Sequence, residues 1–356
     1  MIRNKFIAFL SLVILGALVG CSVPNKTYSR SLNEKDSAVI NTLFDDAPTY
    51  CLGRYTFNYP KALTQELSSV IIIDDMTIES QFMYPPAFKQ RIELREDELK
   101  KQRVSDESDG PFLKDIVRLD KGIIVDINED FNKPDSSRLL EAHVYINNVA
   151  FIIKTEFTDV TNIKYKKRQE RFKENNWKLT EKPQKLAAMQ SLISRLQGRP
   201  KNEIPTDKGI CIPYGFIHDD GRDHKFKLSM LFKNNQFAWA IVMDNLLGSE
   251  DDSLLERSSE IKPIMRQLGA STLKKGPVKY NTIAGEEWLI SGEEDGDKKY
   301  RFQYNANEKN VTYLQPLVLI LLHNSGILTV KDYTDAQMVE IWDRVLQSFK
   351  LRPNAY

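Results

Sequence analysis

Apolar and polar residues alternate along most of this chain with the period of a half-buried strand, and change to a helical period at a few places. In the first half, Tyr55 and Phe57 alternate with Arg54 and Thr56, and Val70-Ile71-Ile72-Ile73 forms a short buried-strand candidate. Strands are predicted over 123–127, 139–146 and 149–155, with Asn147-Asn148 turning the last two into a hairpin, since asparagine tolerates positive φ. Ala87 to Arg103 carries ten charged residues and reads as a helix with a wide wet face, followed by a loop over 105–110. A second helix is expected over 183–197, with Leu186, Met189, Ile193 and Leu196 on one face and Gly198 with Pro200 as stop signals.

The second half repeats this grammar. Phe226, Leu228, Met230 and Phe232 alternate with Lys227, Ser229 and Leu231, and Asn234-Asn235 turns the chain into Phe237, Trp239, Ile241 and Met243. Further strands are predicted over 278–290, 300–305 and 317–322. The last helix begins with the capping-box pattern Thr334-Asp335-Ala336-Gln337 and presents Met338, Trp342, Val345, Leu346 and Phe349 on one face. Each half opens on a cysteine followed by aromatics, Cys51 and Cys211, and closes on an amphipathic helix ending Arg-Pro, at 199–200 and 352–353. The fold class expected is α+β, with two consecutive domains, each a mainly antiparallel sheet with flanking helices. Relatedness of the two and chance likeness of two ordinary α+β units both stay open, because the hairpins fall at different offsets.

The N-terminus reads differently. Arg3 and Lys5 precede fourteen apolar residues, Phe6 to Val19, too few for a hydrocarbon layer that needs about 20, and the run closes on Leu18-Val19-Gly20-Cys21. This ending resembles the lipobox of bacterial lipoproteins, in which the cysteine is acylated and becomes the first residue. The alternative is an ordinary secretory signal that happens to end in cysteine. Residues 1–20 are thus expected to be a lipoprotein signal peptide and Cys21 the lipidation (palmitate) site, with 21–47, polar and without apolar period, a flexible tether. Domains follow over 48–200 and 203–354. Ser22, where an aspartate would signal inner-membrane retention, favours the periplasm and a lipid anchor in the inner leaflet of the outer membrane.

Composition narrows the partners. With 50 Lys+Arg against 49 Asp+Glu and no basic stripe apparent, nucleic acid is not an expected partner. Removing twenty residues leaves 336, enough for two cores. In an oxidising compartment Cys51 and Cys211 would form a disulfide if the fold brings them together; otherwise they are two separate buried thiols.

Catalytic signatures are missing: no Gly-x-Ser-x-Gly elbow, no His-Glu-x-x-His pair, no phosphate-binding loop. Asn324-Ser325-Gly326 reads as a turn. No catalytic residue, metal or cofactor is expected. The densest polar cluster, His218-Asp219-Asp220-Gly221-Arg222-Asp223-His224, has a spacing that matches neither a zinc nor a calcium motif. His218, Asp219, Asp220, Arg222 and Asp223 are instead a candidate contact loop for a protein partner.

Three segments resemble lipoprotein immunity proteins that neutralise lipase effectors of the bacterial type VI secretion system: Cys51-Leu52-Gly53-Arg54-Tyr55-Thr56-Phe57-Asn58-Tyr59-Pro60, Gly209-Ile210-Cys211-Ile212-Pro213-Tyr214-Gly215-Phe216-Ile217, and Thr334-Asp335-Ala336-Gln337 with Trp342-Asp343 running to Leu351-Arg352-Pro353. The resemblance implies two domains that grip a cognate phospholipase effector, hold it from its lipid substrate and carry out no catalysis. Ile212-Pro213-Tyr214 departs from the more polar, Asp- and Gly-containing stretch expected after that cysteine. An envelope scaffold or assembly lipoprotein with no toxin partner is the competing expectation.

Overall fold

A computed structural model describes residues 32–66, 69–294, 296–324 and 333–356. The expected signal peptide over 1–20, Cys21, the start of the expected tether, Ser325 and Gly326 lie outside the described residues. In the first half the elements are α1 (Glu34–Phe44), β1 (Thr49–Leu52), β2 (Tyr55–Asn58), β3 (Thr64–Gln65), β4 (Ile71–Ile73), β5 (Met76–Phe82), α2 (Pro85–Lys101), β6 (Leu113–Leu119), β7 (Gly122–Asn128), β8 (Ser137–Ile146), β9 (Val149–Thr158), α3 (Lys166–Glu174), α4 (Lys182–Arg195) and β10 (Leu196–Gly198). The second half contributes β11 (Gly209–Ile212), β12 (Gly215–His218), β13 (Phe226–Lys233), β14 (Ala238–Asp244), α5 (Ser258–Gln267), β15 (Ser271–Tyr280), β16 (Ile283–Glu294), β17 (Asp297–Ala306), β18 (Leu317–His323), α6 (Asp335–Ser348) and β19 (Lys350–Leu351). The chain is α+β.

Each half builds the same antiparallel sheet. The first runs β4-β5-β9-β8-β7-β6 and the second β14's half runs β13-β14-β18-β17-β16-β15, so both have an opening hairpin, a helical crossover to the far edge, and a meander back. The crossovers are α2 and α5. The two first strands, β4 and β13, then pair with each other, Ile72 opposite Lys227, and join both sheets into one. The two units thus share one strand order.

The halves also exchange their heads. The hairpin β1-β2 that opens the first half is bonded to β19, the tail of the second, through Lys350↔Thr56 and Leu351↔Tyr55. The hairpin β11-β12 that opens the second half is bonded to β10, the tail of the first. Gly198, expected to stop a helix, lies in that tail strand opposite Gly215; a Cβ on it would sit 2.1 Å from the Ile146 carbonyl oxygen. Cys51 and Cys211 occupy the same register position in the two exchanged hairpins and form a disulfide, Cα–Cα 5.7 Å, with Cys51 2% and Cys211 0% exposed.

Helix α6 is the anchor of the second core. Thr334 and Gln337 complete the capping box, and Trp342 stacks on Trp239 at 5.3 Å with Phe302 edge-on at 5.8 Å. Against this helix lies the main correction to the sequence reading. Residues 21–47 were expected to form a flexible tether, but 34–44 are helical, with Ile40 fully buried in the core and Asp36 accepting from Gln337 Nε2 at 2.9 Å. One buried isoleucine in a polar run carries no period a sequence can display. The expected strand over 278–290 is likewise two strands, β15 and β16, turned at Asn281, which adopts φ 53.

Replacing both Cys51 and Cys211 by serine is expected to lower unfolding free energy by up to about 5 kcal/mol, the loop-closure value for a link across so long a segment. Urea denaturation of the oxidised parent and the double variant measures the difference.

Candidate functional site

Around the disulfide, three buried arginines serve the backbone. Arg54 donates to the Ala355 carbonyl at 2.7 Å and the Gly209 carbonyl at 3.3 Å, and pairs with Asp219 at 3.1 Å. Arg199 donates to the carbonyls of Gly215 (2.9 Å), Ile212 (3.1 Å) and Glu203 (2.7 Å), and burial pulls its guanidinium down to about 10. Arg352 donates to Pro205 at 2.6 Å and Gly209 at 2.9 Å. Gly53 and Cys211 exchange backbone hydrogen bonds of 2.8 and 2.7 Å. Across the disulfide Pro213 has no N–H, and the Cys51 carbonyl accepts from Arg199 Nη2 at 3.4 Å.

The loop 218–224 is drawn into this junction. His218 bonds Gln197 at 3.0 Å, and Asp219 accepts from Arg54 and from the Tyr313 hydroxyl at 2.6 Å. Asp220 accepts from Arg222 Nε at 2.8 Å and contacts His224 Nε2 at 2.9 Å. Burial pushes the Asp220 carboxyl up, but the Arg222 and His224 hydrogen bonds outweigh it and hold it far below the usual carboxylate range. Of the five residues singled out in the sequence, His218 and Asp219 are half-buried and bonded into the junction, Asp220 is exposed but turns its carboxylate onto His224, and Arg222 and Asp223 face solvent. Among the described residues no group of three or more His, Cys, Asp or Glu is placed to hold a metal ion.

A groove opens beside the seam. β4 pairs with β5 only as far as Thr77, so Ile78 to Phe82 are bonded along one edge to β9, and among the described residues no strand pairs with their other edge. Across from it stands the tip of the β11-β12 hairpin, fixed by the Ser80 hydroxyl donating to the Pro213 carbonyl. About 410 Å³ is enclosed between them, lined by Glu66, Ser80, Arg91, Lys201, Pro213 and Tyr214. It runs on beneath α2 into a second hollow of about 560 Å³, with Glu79, Arg91 and Ile152 common to both. Under α2, burial raises the Glu141 carboxyl while His143 and Arg95 lower it more, leaving it at about 2.

Tyr214 marks the groove. It sits at the second turn position after Pro213 with φ 52, a place where glycine is usual, and Lys201 Nζ lies 5.4 Å from its ring centre. A non-glycine residue held there costs on the order of 1–3 kcal/mol, and such residues gather at binding sites. The departure Ile212-Pro213-Tyr214 was legible; the free edge of β5 was not, since it depends on how short β4 is.

Duplicated sheets, exchanged heads and a groove at their seam define a two-domain α+β protein built for contact and not for chemistry its sequence would announce. The chain belongs to the family of Tle cognate immunity protein 4, whose N-terminal domain model matches residues 48–199 and whose C-terminal domain model matches residues 203–354. Apo TplEi, an immunity protein of the type VI secretion system of Pseudomonas aeruginosa, is similar at TM-score 0.68 and 19% identity, covering 87% of this chain and 99% of its own. A Tle4–Tli4 complex contains a chain similar at TM-score 0.68 and 19% identity, covering 86% and 98%. TplEi of the same organism complexed with an "L" peptide is similar at TM-score 0.65 and 18% identity, covering 86% and 99%. No curated protein matches this sequence.

His224 links the halves, its Nδ1 3.0 Å from Asp74 and its Nε2 2.9 Å from Asp220. The Asp74 hydrogen bond raises the imidazole above its ordinary value, against burial. Its contribution to stability is complete below about pH 6.5 and is lost as pH rises through the higher folded value. Asp74 and Asp220 are depressed, so theirs is complete above about pH 4 and lost on further acidification. Thermal unfolding between pH 6 and about 8.5 should show stability falling for the parent, and a flatter profile for His224→Gln.

Proposed function

We propose that this protein is a periplasmic, membrane-anchored immunity protein that binds its cognate antibacterial type VI secretion phospholipase and inhibits it. Family membership over both domains is the observation that carries the reading. It is supported by the Tle4–Tli4 complex, in which a chain of this fold stands with its partner. Inhibition needs no chemistry from the binder. A lipase that opens a lid at a membrane is stopped by any partner that binds the closed form more tightly, or that covers the opening.

The groove at the β5 edge is the contact surface this reading favours. An unpaired strand edge presents backbone donors and acceptors to an extended segment, and Arg91, Lys201 and Tyr214 supply the side chains that would choose it. A relative of this fold complexed with a peptide is in keeping with such a use. Purified protein mixed with the lipase encoded beside it should form a stable complex and stop phospholipid hydrolysis. Reversing Arg91 and Lys201 to glutamate should weaken that complex by at least about ten-fold, some 1.4 kcal/mol, while the unfolding midpoint stays put. Titration calorimetry and a lipid-hydrolysis assay read both; unhindered hydrolysis by the parent mixture would refute the function, and unchanged affinity in the variant only the groove.

Anchoring is the second part of the proposal. Acyl chains on Cys21 would confine the binder to the surface it guards and raise its effective concentration there. Cys21→Ser is expected to abolish incorporation of labelled palmitate and to take the protein out of the membrane fraction, which fractionation of labelled cells measures.

A further inference from the structure

Helix α3 has no counterpart in the second half, where β18 is followed by α6 without another helix among the described residues. Ile163 to Lys178 holds seven cations, Lys164, Lys166, Lys167, Arg168, Arg171, Lys173 and Lys178, against Glu170 and Glu174, in a chain whose net charge is only +1. This short basic stretch is masked in the overall composition by balanced charge elsewhere, 50 Lys+Arg against 49 Asp+Glu.

Helix α3 adds nothing to the apolar core. It buries no residue. Three cations in its first turn oppose the helix dipole, and Lys167 with Arg171 sets like charges four apart, so both arrangements weaken the helix. Yet it is held firmly: Gln169 Nε2 donates to the carbonyls of Val160 (2.7 Å), Thr161 (3.1 Å) and Asn162 (2.9 Å), and Arg168 donates to Ser136 Oγ at 2.8 Å. Lys164 is drawn in by Asp109 at 2.6 Å and Asp135 at 2.9 Å. Lys166, Lys167, Arg171 and Lys173 stay exposed, and among the described residues none of the four is in an ion pair. Beside them Ile163 is 79% and Trp177 53% exposed, Trp177 edge-on to Phe172 at 5.4 Å.

We propose that α3 with Ile163 and Trp177 is a foot that rests on the surface of an anionic phospholipid bilayer. Exposed tryptophan and isoleucine among lysines suit the headgroup boundary, where the cations meet phosphates and the apolar side chains enter the acyl margin. An acidic protein surface would satisfy the cations but leaves that apolar pair without a purpose. The foot would fix how the body stands on the membrane, independently of the groove and of acylation at Cys21.

Trp177 is a built-in reporter, because Trp239, Trp288 and Trp342 are at most 1% exposed. The full chain is added to phosphatidylglycerol vesicles and to phosphatidylcholine vesicles, and its emission and quenching by acrylamide are recorded; acylation holds it to either, so only composition differs. Phosphatidylglycerol alone should shift the emission to the blue and protect it from quenching, and high salt should reverse both. Taking about five-fold per cation, Lys166→Glu/Arg171→Glu/Lys173→Glu should lower the ratio of docked to undocked Trp177 on phosphatidylglycerol by more than ten-fold, read from its emission and quenching, and the milder Lys166→Gln/Lys173→Gln by less. Equal response to both vesicles, no response to either, an unchanged variant, or protection conferred only by the lipase would each overturn the proposal.

Discussion

A guanidinium taken out of water needs acceptors for its N–H groups, and the centre of this protein supplies most of them for three, although among the described residues the Nε of Arg54 and of Arg352 meets none. Arg54, Arg199 and Arg352 are each at most 3% exposed and satisfied largely by backbone carbonyls of the exchanged hairpins and tails. Carbonyls can do this only if the chain holds them in convergent positions, which the Cys51–Cys211 bridge and the paired heads ensure. The Arg-Pro sequences closing each half are therefore part of the junction: each arginine ends a tail strand and turns back to hold the crossing.

That junction accounts for the groove. Because β4 and β13 join the two sheets over a few residues only, the sheet is continuous at the seam but β5 outruns its neighbour. The hairpin tip carrying Tyr214 is brought across the gap by the disulfide and held by Ser80. A rigid lip set against a free strand edge suits recognition of an extended segment, and strain at Tyr214 persists because its surroundings leave it no other conformation.

What could be read from the sequence was what short-range physics fixes. The Asn147-Asn148 hairpin, the α6 capping box and the alternating strands of the second half all appear where the pattern puts them. Edge strand β6 escaped notice because it buries no residue and shows no strict alternation, and β5 because its second half, with Glu79 and Gln81 exposed along the open groove, carries no buried face. Helix α1 hides its single buried isoleucine in polar surroundings. The cluster 218–224 was visible as chemistry but not as orientation: the partners that hold the Asp219 and Asp220 carboxylates, Arg54 and His224 with Asp74, are brought there from as far as 165 residues away in sequence.

The exchange of heads bears on how such a chain can assemble. Strands β1 and β2 are made early but find their third strand only in residues 350–351, almost at the C-terminus. Until residues 350–351 are in place β2 lacks one neighbour, so the first hairpin is completed only after the strands of the second unit have been made. Pairing with β19 completes only the first hairpin, since β10 already serves the second, and a copy short of Lys350 would leave the edge of β2 unpaired.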